Sequence, residues 1–299
     1  MTPKSRALIA CLSMTFAGCA TLQPDAAPRG PLRALSDTVV AGFTFPESVG
    51  CDPAEKVLYV SQFGGTELKP AEKDGKGYIS KVGLDGKVIE QKAFAETMNK
   101  PKGIWIEGTR LWVTDIDGVW IFDTKTKKGR KLDLPGIQFA NDPAVQRGVL
   151  YVSDNRSDQL FRVEPADFLD ARVQPKVSAV WSKKAINPNG LWPARDGSLL
   201  VVGFLSADTA RGIHSMAGSG EMKAMSQPIG RLDGLYEMRD GSLLSTDWNS
   251  GSFFHWSAAG GKKDLATGFK GPADFCVMGD TAYVPDLVQS QVRIIKLGH

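Results

Sequence analysis

Histidine is nearly missing from this chain, with three residues in 299: His214, His255 and His299. None stands in the repeated motif described below, so a histidine-rich zinc site and a histidine-dependent nucleophile triad have no support. There is no Gly-x-Ser-x-Gly nucleophile elbow and no Gly-x-x-x-x-Gly-Lys phosphate loop, so the scattered glycines read as turn residues. After the N-terminal segment no run is long and apolar enough to span a bilayer as a helix, and no long amphipathic helix interrupts the pattern. Charge of either sign in excess is also missing. The formal net charge is +3, and Lys4 and Arg6 account for two of those charges, which gives no argument for a nucleic-acid partner or an electrostatically held membrane. Cysteine is scarce. Of the four, Cys11 and Cys19 lie near the N-terminus, leaving Cys51 and Cys276 for the folded part.

What is present begins with Lys4 and Arg6 ahead of an apolar run from Ala7 to Ala17 that ends in small residues. Charged start, short apolar stretch and small-residue end read as a signal segment over 1–18, too short to be a stable spanning helix. Phe16-Ala17-Gly18-Cys19 resembles a bacterial lipobox, which makes Cys19 the candidate lipidation site and the protein an exported, periplasmic or outer-membrane lipoprotein. Ordinary signal cleavage is the alternative. Residues 19–34, rich in Pro and Ala, read as a flexible tether, and 35–299 as the folded domain.

Within that domain one phrase recurs six times: Pro46-Glu47-Ser48, Pro101-Lys102-Gly103, Ala140-Asn141-Asp142, Pro188-Asn189-Gly190, Leu232-Asp233-Gly234 and Pro272-Ala273-Asp274. Each copy is followed by a polar turn and an apolar run such as Val57-Leu58-Tyr59-Val60 or Val149-Leu150-Tyr151-Val152. Four of those runs reach an aspartate at one fixed place, Asp115, Asp154, Asp247 and Asp286, with Gln62 and Gly203 in the others. The steps from one copy to the next are 55, 39, 48, 44 and 40 residues, and a period near 40–45 with several short strands per unit predicts an all-β, six-bladed β-propeller. Further strands are expected around 77–82, 118–122, 159–163, 212–216, 252–256 and 291–295, with Asp85-Gly86, Asp196-Gly197 and Asp240-Gly241 turning the hairpins. The last blade lacks an outer strand, and the segment from Ser36 to Gly42 is predicted to complete it and lock the ring. Closure makes the units holding Cys51 and Cys276 neighbours. Connectivity is not readable from sequence, and two buried thiols are the preferred reading over a disulfide.

Inner strands of a propeller start around one axis, so Glu47, Lys102, Asn141, Asn189, Asp233 and Ala273 converge. Two carboxylates and two amide oxygens, Glu47, Asn141, Asn189 and Asp233, form an oxygen-only set suited to Ca²⁺ above all and also to Mg²⁺, Mn²⁺ or Zn²⁺. Asn-Asp and Asp-Gly are also common turn pairs, but four oxygen donors at one repeat position are hard to attribute to four unrelated turns. Lys102 in the same column repels a cation and offers two further readings: an ammonium that bridges Glu47 and Asp233 in place of a metal, or a donor to a developing oxyanion. Trp105, Phe139, Trp192 and Tyr236 are candidate substrate-wall residues, with core packing as the ordinary alternative.

The matches Pro46-Glu47, Asn141-Asp142, Pro188-Asn189-Gly190 and Asp233-Gly234 resemble the gluconolactonase and senescence-marker-protein (regucalcin-like) family, over about Val39 to Leu297. Diisopropyl fluorophosphatase carries a similar quartet. The resemblance implies a six-bladed propeller with one divalent metal on Glu47, Asn141, Asn189 and Asp233. It implies a hydrolase of lactones or related esters, with Asp233, or a strand-end carboxylate such as Asp154, assisting proton transfer. Three departures stand out. Glu47 is followed by Ser48-Val49 rather than Gly-Pro, Phe139 holds the place of a substrate-binding arginine, and Lys102 joins the column. Phe139 argues for a substrate less polar than a sugar lactone. The rival reading is a non-catalytic propeller that binds a small molecule or protein, with Lys102 replacing the metal.

Overall fold

The computed structural model describes residues 30–181 and 185–299, and the folded unit runs from Leu32 to His299. The signal segment, most of the tether and Cys19 lie outside the described residues. The chain enters with β1 (Arg33–Ala41), so the first strand begins inside the segment expected as tether. The first blade is β2 (Pro46–Asp52), β3 (Val57–Gln62), β4 (Tyr78–Gly83) and β5 (Val88–Glu90). The second is β6 (Pro101–Glu107), β7 (Arg110–Asp115), β8 (Gly118–Asp123) and β9 (Gly129–Asp133). The third is β10 (Ala140–Gln146), β11 (Val149–Asp154), β12 (Gln159–Glu164) and β13 (Lys176–Trp181). The fourth is β14 (Pro188–Pro193), β15 (Leu199–Gly203), β16 (Ile213–Met216) and β17 (Met222–Ala224), and the fifth β18 (Leu232–Glu237), β19 (Leu243–Asp247), β20 (Ser252–Ser257) and β21 (Gly261–Thr267). The sixth combines β22 (Cys276–Met278), β23 (Thr281–Asp286) and β24 (Gln291–Gly298) with β1, in the order β1-β24-β23-β22. The described residues thus form a six-bladed propeller of four-stranded antiparallel sheets, closed by its N-terminal strand.

The hairpins turn where the sequence places Asp-Gly. Gly86 takes φ +83°, a left-handed conformation open to glycine at little cost, while Asp85 Oδ1 accepts the Lys87 amide at 3.1 Å. Blades pack face to face through apolar clusters that cross their boundaries. Leu200, Val202 and Ile213 of the fourth blade, for example, meet Leu232, Leu235 and Phe254 of the fifth. Each such side chain, fully buried, contributes about 1.5–3 kcal/mol.

Closure has two parts. At the rim β1 pairs antiparallel with β24 from Arg33↔Gly298 to Ala41↔Gln291, and Asp37 holds the Arg293 guanidinium, with Nε at 3.0 Å. Nearer the axis Cys51 and Cys276 are joined by a disulfide with Cα atoms 5.7 Å apart, which corrects the reading of two free thiols. Spacing in the sequence did not carry that pairing; the ring does, because it seats β2 against β22.

Five inner strands share an irregularity. The ladder slips between Pro46 and Ser48, Pro101 and Ile104, Ala140 and Pro143, Pro188 and Leu191, and Leu232 and Leu235. Bulges of this kind re-aim side chains, and here they fall on the column itself. The amides they free are taken up by hydroxyls of the second strand: Ser48 N donates to Ser61 Oγ, Asp142 N to Ser153 Oγ and Gly234 N to Thr246 Oγ1, each at 2.9 Å.

Candidate functional site

The strand-end carboxylates settle first. Asp154 accepts the amides of Gln138, Phe139, Arg156 and Ser157. Asp115 accepts those of Asn99 and Lys100, and Asp286 those of Lys270, Gly271 and Gln289. Asp247 takes Arg231 N and Asn249 N and pairs with Lys262 Nζ at 2.5 Å. Each one pins the loop that leads into an inner strand, so the repeated aspartate shapes the column, and both oxygens of Asp154 accept hydrogen bonds from that loop and the following turn. Gln62 does the same work through Thr44 N at 2.6 Å. Gly203 leaves a gap that Asp158 of the preceding blade fills by accepting Ala185 N and Asn187 N.

The column converges as the repeats require. Glu47, Lys102, Asn141, Asn189 and Asp233 are each no more than 6% exposed. Asn189 hydrogen-bonds Asp233, and Trp248 Nε1 donates to Asp233 Oδ2 at 3.0 Å. Glu47 Oε2 and Asn189 Oδ1 are buried without a partner. Burial, and then the Asp233 carboxylate, push Glu47 well above the usual carboxylate range. Asp233 is raised to about 8 by burial and then by Asp274.

Asp274 belongs to a second layer that the sequence reading passed over. One residue beyond the column stand Ser48, Gly103, Asp142, Gly190, Gly234 and Asp274, so two carboxylates face each other from the third and sixth blades. The glycines between them permit close approach: a Cβ on Gly103 would meet Asp142 Oδ1 at 2.0 Å, and one on Gly190 the Asp233 carbonyl oxygen at 2.0 Å. Asp142 Oδ2 accepts Leu191 N at 2.7 Å, and Asp274 Oδ2 accepts Ser48 Oγ at 2.6 Å. Burial raises both, Asp274 to about 7, and Asp274 in turn raises Asp142, Asp233 and Glu47. The signal was legible as the second member of Asn141-Asp142 and Ala273-Asp274, but it reads as turn chemistry when only the first member is tracked.

Lys102 does not bridge the carboxylates. Its Nζ donates to the Lys100 carbonyl at 3.1 Å and sits 4.1 Å from the centre of the Phe139 ring. Burial lowers it to about 8, against the pull of Glu47. Among the described residues no Lys or Arg forms an ion pair with Glu47, Asp142, Asp233 or Asp274, in contrast to Asp74 with Lys100 and Asp247 with Lys262.

The four residues read as one substrate wall divide between the two ends of the channel. Phe139 stands at the strand-start end, beneath both Lys102 and the exposed Arg156, whose guanidinium lies 4.0 Å from the ring centre. Arg231 packs over Phe204 and Trp248 at the same end. Trp105, Trp192 and Tyr236 sit three residues further along their strands, about 10 Å at the rise of a strand. They pack on one another, Trp105 with Trp192 at 5.5 Å and Trp192 with Tyr236 at 4.6 Å between ring centres. There they line a separate cavity of about 380 Å³ that includes Asp142 and Asp274 and none of the column residues.

A divalent cation, implied by the family resemblance, fits the quartet: Glu47 Oε2 and Asn189 Oδ1 are buried without a hydrogen-bond partner, and neither Glu47 nor Asp233 forms an ion pair among the described residues. Among the described residues no three His, Cys, Asp or Glu side chains gather into a metal-holding group, so the fit depends on the amide oxygens of Asn141 and Asn189.

No protein-family model and no curated protein matches the chain. Solved structures do. A candidate gluconolactonase from a structural genomics programme superposes with a TM-score of 0.64 at 16% identity, covering 89% of this chain and 98% of its own. A catalytically inactive, His-to-Ala form of virginiamycin B lyase from Staphylococcus aureus with quinupristin superposes with a TM-score of 0.60 at 15% identity, covering 89% of this chain and 99% of its own. A streptogramin B lyase gives 0.60 at 13%, covering 88% and 98%. At these identities the likeness is one of fold.

Proposed function

We propose that the protein is a metal-dependent hydrolase of lactones or related esters, acting at the strand-start end of the channel. The observation that carries this reading is the pair of buried oxygens without a hydrogen-bond partner, Glu47 Oε2 and Asn189 Oδ1, in a column whose carboxylates form no ion pair among the described residues. Glu47, Asn141, Asn189 and Asp233 would hold one divalent cation, Ca²⁺ by preference for an all-oxygen set, with Zn²⁺, Mn²⁺ or Mg²⁺ as alternatives. Such a cation, when bound, supplies Lewis-acid polarisation of an ester carbonyl.

The chain's own groups supply the rest. Asp233, whose Oδ2 accepts Trp248 Nε1, serves in its deprotonated form as the base that takes a proton from the attacking water, and burial makes that form a stronger base than an ordinary aspartate. Lys102 Nζ donates to the oxyanion that develops as the ring opens. Phe139 gives the substrate an apolar face, in keeping with a less polar lactone or ester than a sugar lactone. The lyase is inactivated by loss of one histidine, whereas His214 and His255 of this chain stand on β16 and β20, outside the column. That difference favours hydrolysis over a lyase route. The disulfide suits an oxidising compartment, as export would supply, and Cys19 is the residue through which a lipid anchor would be attached.

The test is metal content and thermal stability of the mature protein before and after chelation, followed by a lactone and ester screen. A stoichiometric cation is expected, its removal lowering Tm, with Asp233→Ala and Asn189→Ala each reducing turnover by at least about 100-fold while the β-sheet circular dichroism is kept. Unchanged turnover in both variants would refute the assignment.

A further inference from the structure

We propose that the end of the channel opposite Lys102 is a second binding site, for a small organic cation with an aromatic or apolar body. Along the axis the order is the column, then Asp142 and Asp274, then the 380 Å³ cavity. Its walls are apolar: Trp105, Trp192, Tyr236, Phe275 and Met278, with the Cys51–Cys276 disulfide set into one side. Its floor is two carboxylates from opposite blades. A volume of this size holds a one-ring ligand, and a concave apolar wall with a few convergent polar groups is the ordinary make-up of a small-molecule site.

The two ends of the channel differ in the ionisable side chains they present. Lys102, Arg156 and Arg231 gather at the strand starts. The cavity holds Asp142 and Asp274 and no lysine or arginine. An ammonium group seated at its floor adds donors to two carboxyl groups that already accept Leu191 N on Asp142 and Ser48 Oγ on Asp274, and aromatic faces around it attract a cation further. An anion finds no cationic side chain in this cavity, and a neutral apolar ligand would leave the carboxyl oxygens as they are. Trp105 also brings a buried Nε1 donor without a partner, so a ligand with an ether or carbonyl oxygen at its far end gains one more contact. The three half-buried aromatic residues lock one another in place, and the disulfide fixes the opposite wall, so the cavity is formed before a ligand arrives. The inference does not depend on the hydrolase reading.

The probe is 2-(4-methoxyphenyl)ethylamine, with 2-(4-methoxyphenyl)ethanol as its neutral counterpart, titrated into the mature protein by calorimetry and tryptophan fluorescence. Both titrations are run with the protein chelated and again with Ca²⁺ present. The amine is expected to bind one site at least about tenfold more tightly than the alcohol under both conditions. Asp142→Asn combined with Asp274→Asn is expected to remove that preference. Because these carboxylates also hold Leu191 N and Ser48, two variants on the half-buried wall serve as well: Met278→Lys, which adds an ammonium to the cavity, and Trp192→Ala, which removes a ring. Each is expected to weaken the amine by at least about tenfold with the fold retained. Equal binding of amine and alcohol, or amine binding that survives both wall variants, would overturn the proposal. A failure of lactone hydrolysis would leave these titrations unaffected, so the two readings fail separately.

Discussion

Asp123 shows how one carboxylate at a blade rim ties stability to pH. It closes the β8–β9 hairpin, where Oδ1 accepts Thr126 N at 2.7 Å and Lys125 N at 3.1 Å, and Oδ2 accepts Thr109 Oγ1 at 2.9 Å beside the Arg110 guanidinium. Backbone and hydroxyl donors favour the charged form, with the Thr126 amide foremost, and lower the carboxyl to about 2. An ordinary aspartate in the unfolded chain titrates near 3.9. The folded state therefore holds its proton less tightly, and the stabilisation is complete above pH ~4 and lost as pH falls towards ~2. Arg110 is partly exposed and counts for little, so the effect is on the order of 1 kcal/mol. Asp123→Asn should lower the urea midpoint at pH 7 and leave it nearly unchanged at pH 2. A loss equal at both pH values would show that shape, not charge, holds the turn.

At the scale of the strand, the close approach of β14 to β18 depends on a missing side chain. Gly190 has ordinary backbone angles, yet an added Cβ would stand 2.0 Å from the Asp233 carbonyl oxygen and 2.9 Å from Val202 Cγ2. Gly190→Ala must push β18 outward and carry Asp233 with it, a cost of about 1–3 kcal/mol for overpacking. Gly218→Ala, where nothing lies within 4 Å, is the matched control and should leave Tm unchanged. Thermal melts of the two variants, with calcium titrated by calorimetry, check this: the first should lose both stability and cation affinity, the second neither. The same strands show what the sequence could and could not carry. The column was legible because one residue per repeat must face one axis, and Glu47, Asn141, Asn189 and Asp233 keep oxygen chemistry there. The layer beneath it was harder to read, because Asp142 and Asp274 occur in only two of six copies, where they pass for turn residues, and glycine fills three of the others. The division of the aromatic wall was hidden as well. Phe139 precedes its column residue and Trp105 follows its own by three, and sequence order alone does not reveal that these offsets lead to opposite ends of one channel.

For the whole ring, closure is held at two radii. β1 pairs with β24 along eight residue pairs at the rim, and the disulfide joins β2 to β22 beside the cavity. The bond spans 225 residues of sequence, so cutting it releases a large loop in the unfolded chain, a loss of about 2–5 kcal/mol. The rim pairing and the Asp37–Arg293 contact survive that cut, so the reduced ring should still assemble. Wild-type protein with reductant should therefore melt at the temperature of the Cys51→Ser, Cys276→Ser variant, below that of the oxidised form, with the same sheet spectrum in all three. Reductant should not move the variant. If the double variant fails to fold, the hub bond is required for assembly and β1 cannot close the ring alone. If wild type and variant melt together without reductant, the loop constraint adds nothing and the blade interfaces carry the closure. The expected middle outcome, a stable but weakened ring, also predicts that cation affinity at the quartet changes little on reduction. Glu47 lies four residues before Cys51 along β2 and is held by its own backbone, with its carbonyl accepting Asp274 N at 3.1 Å.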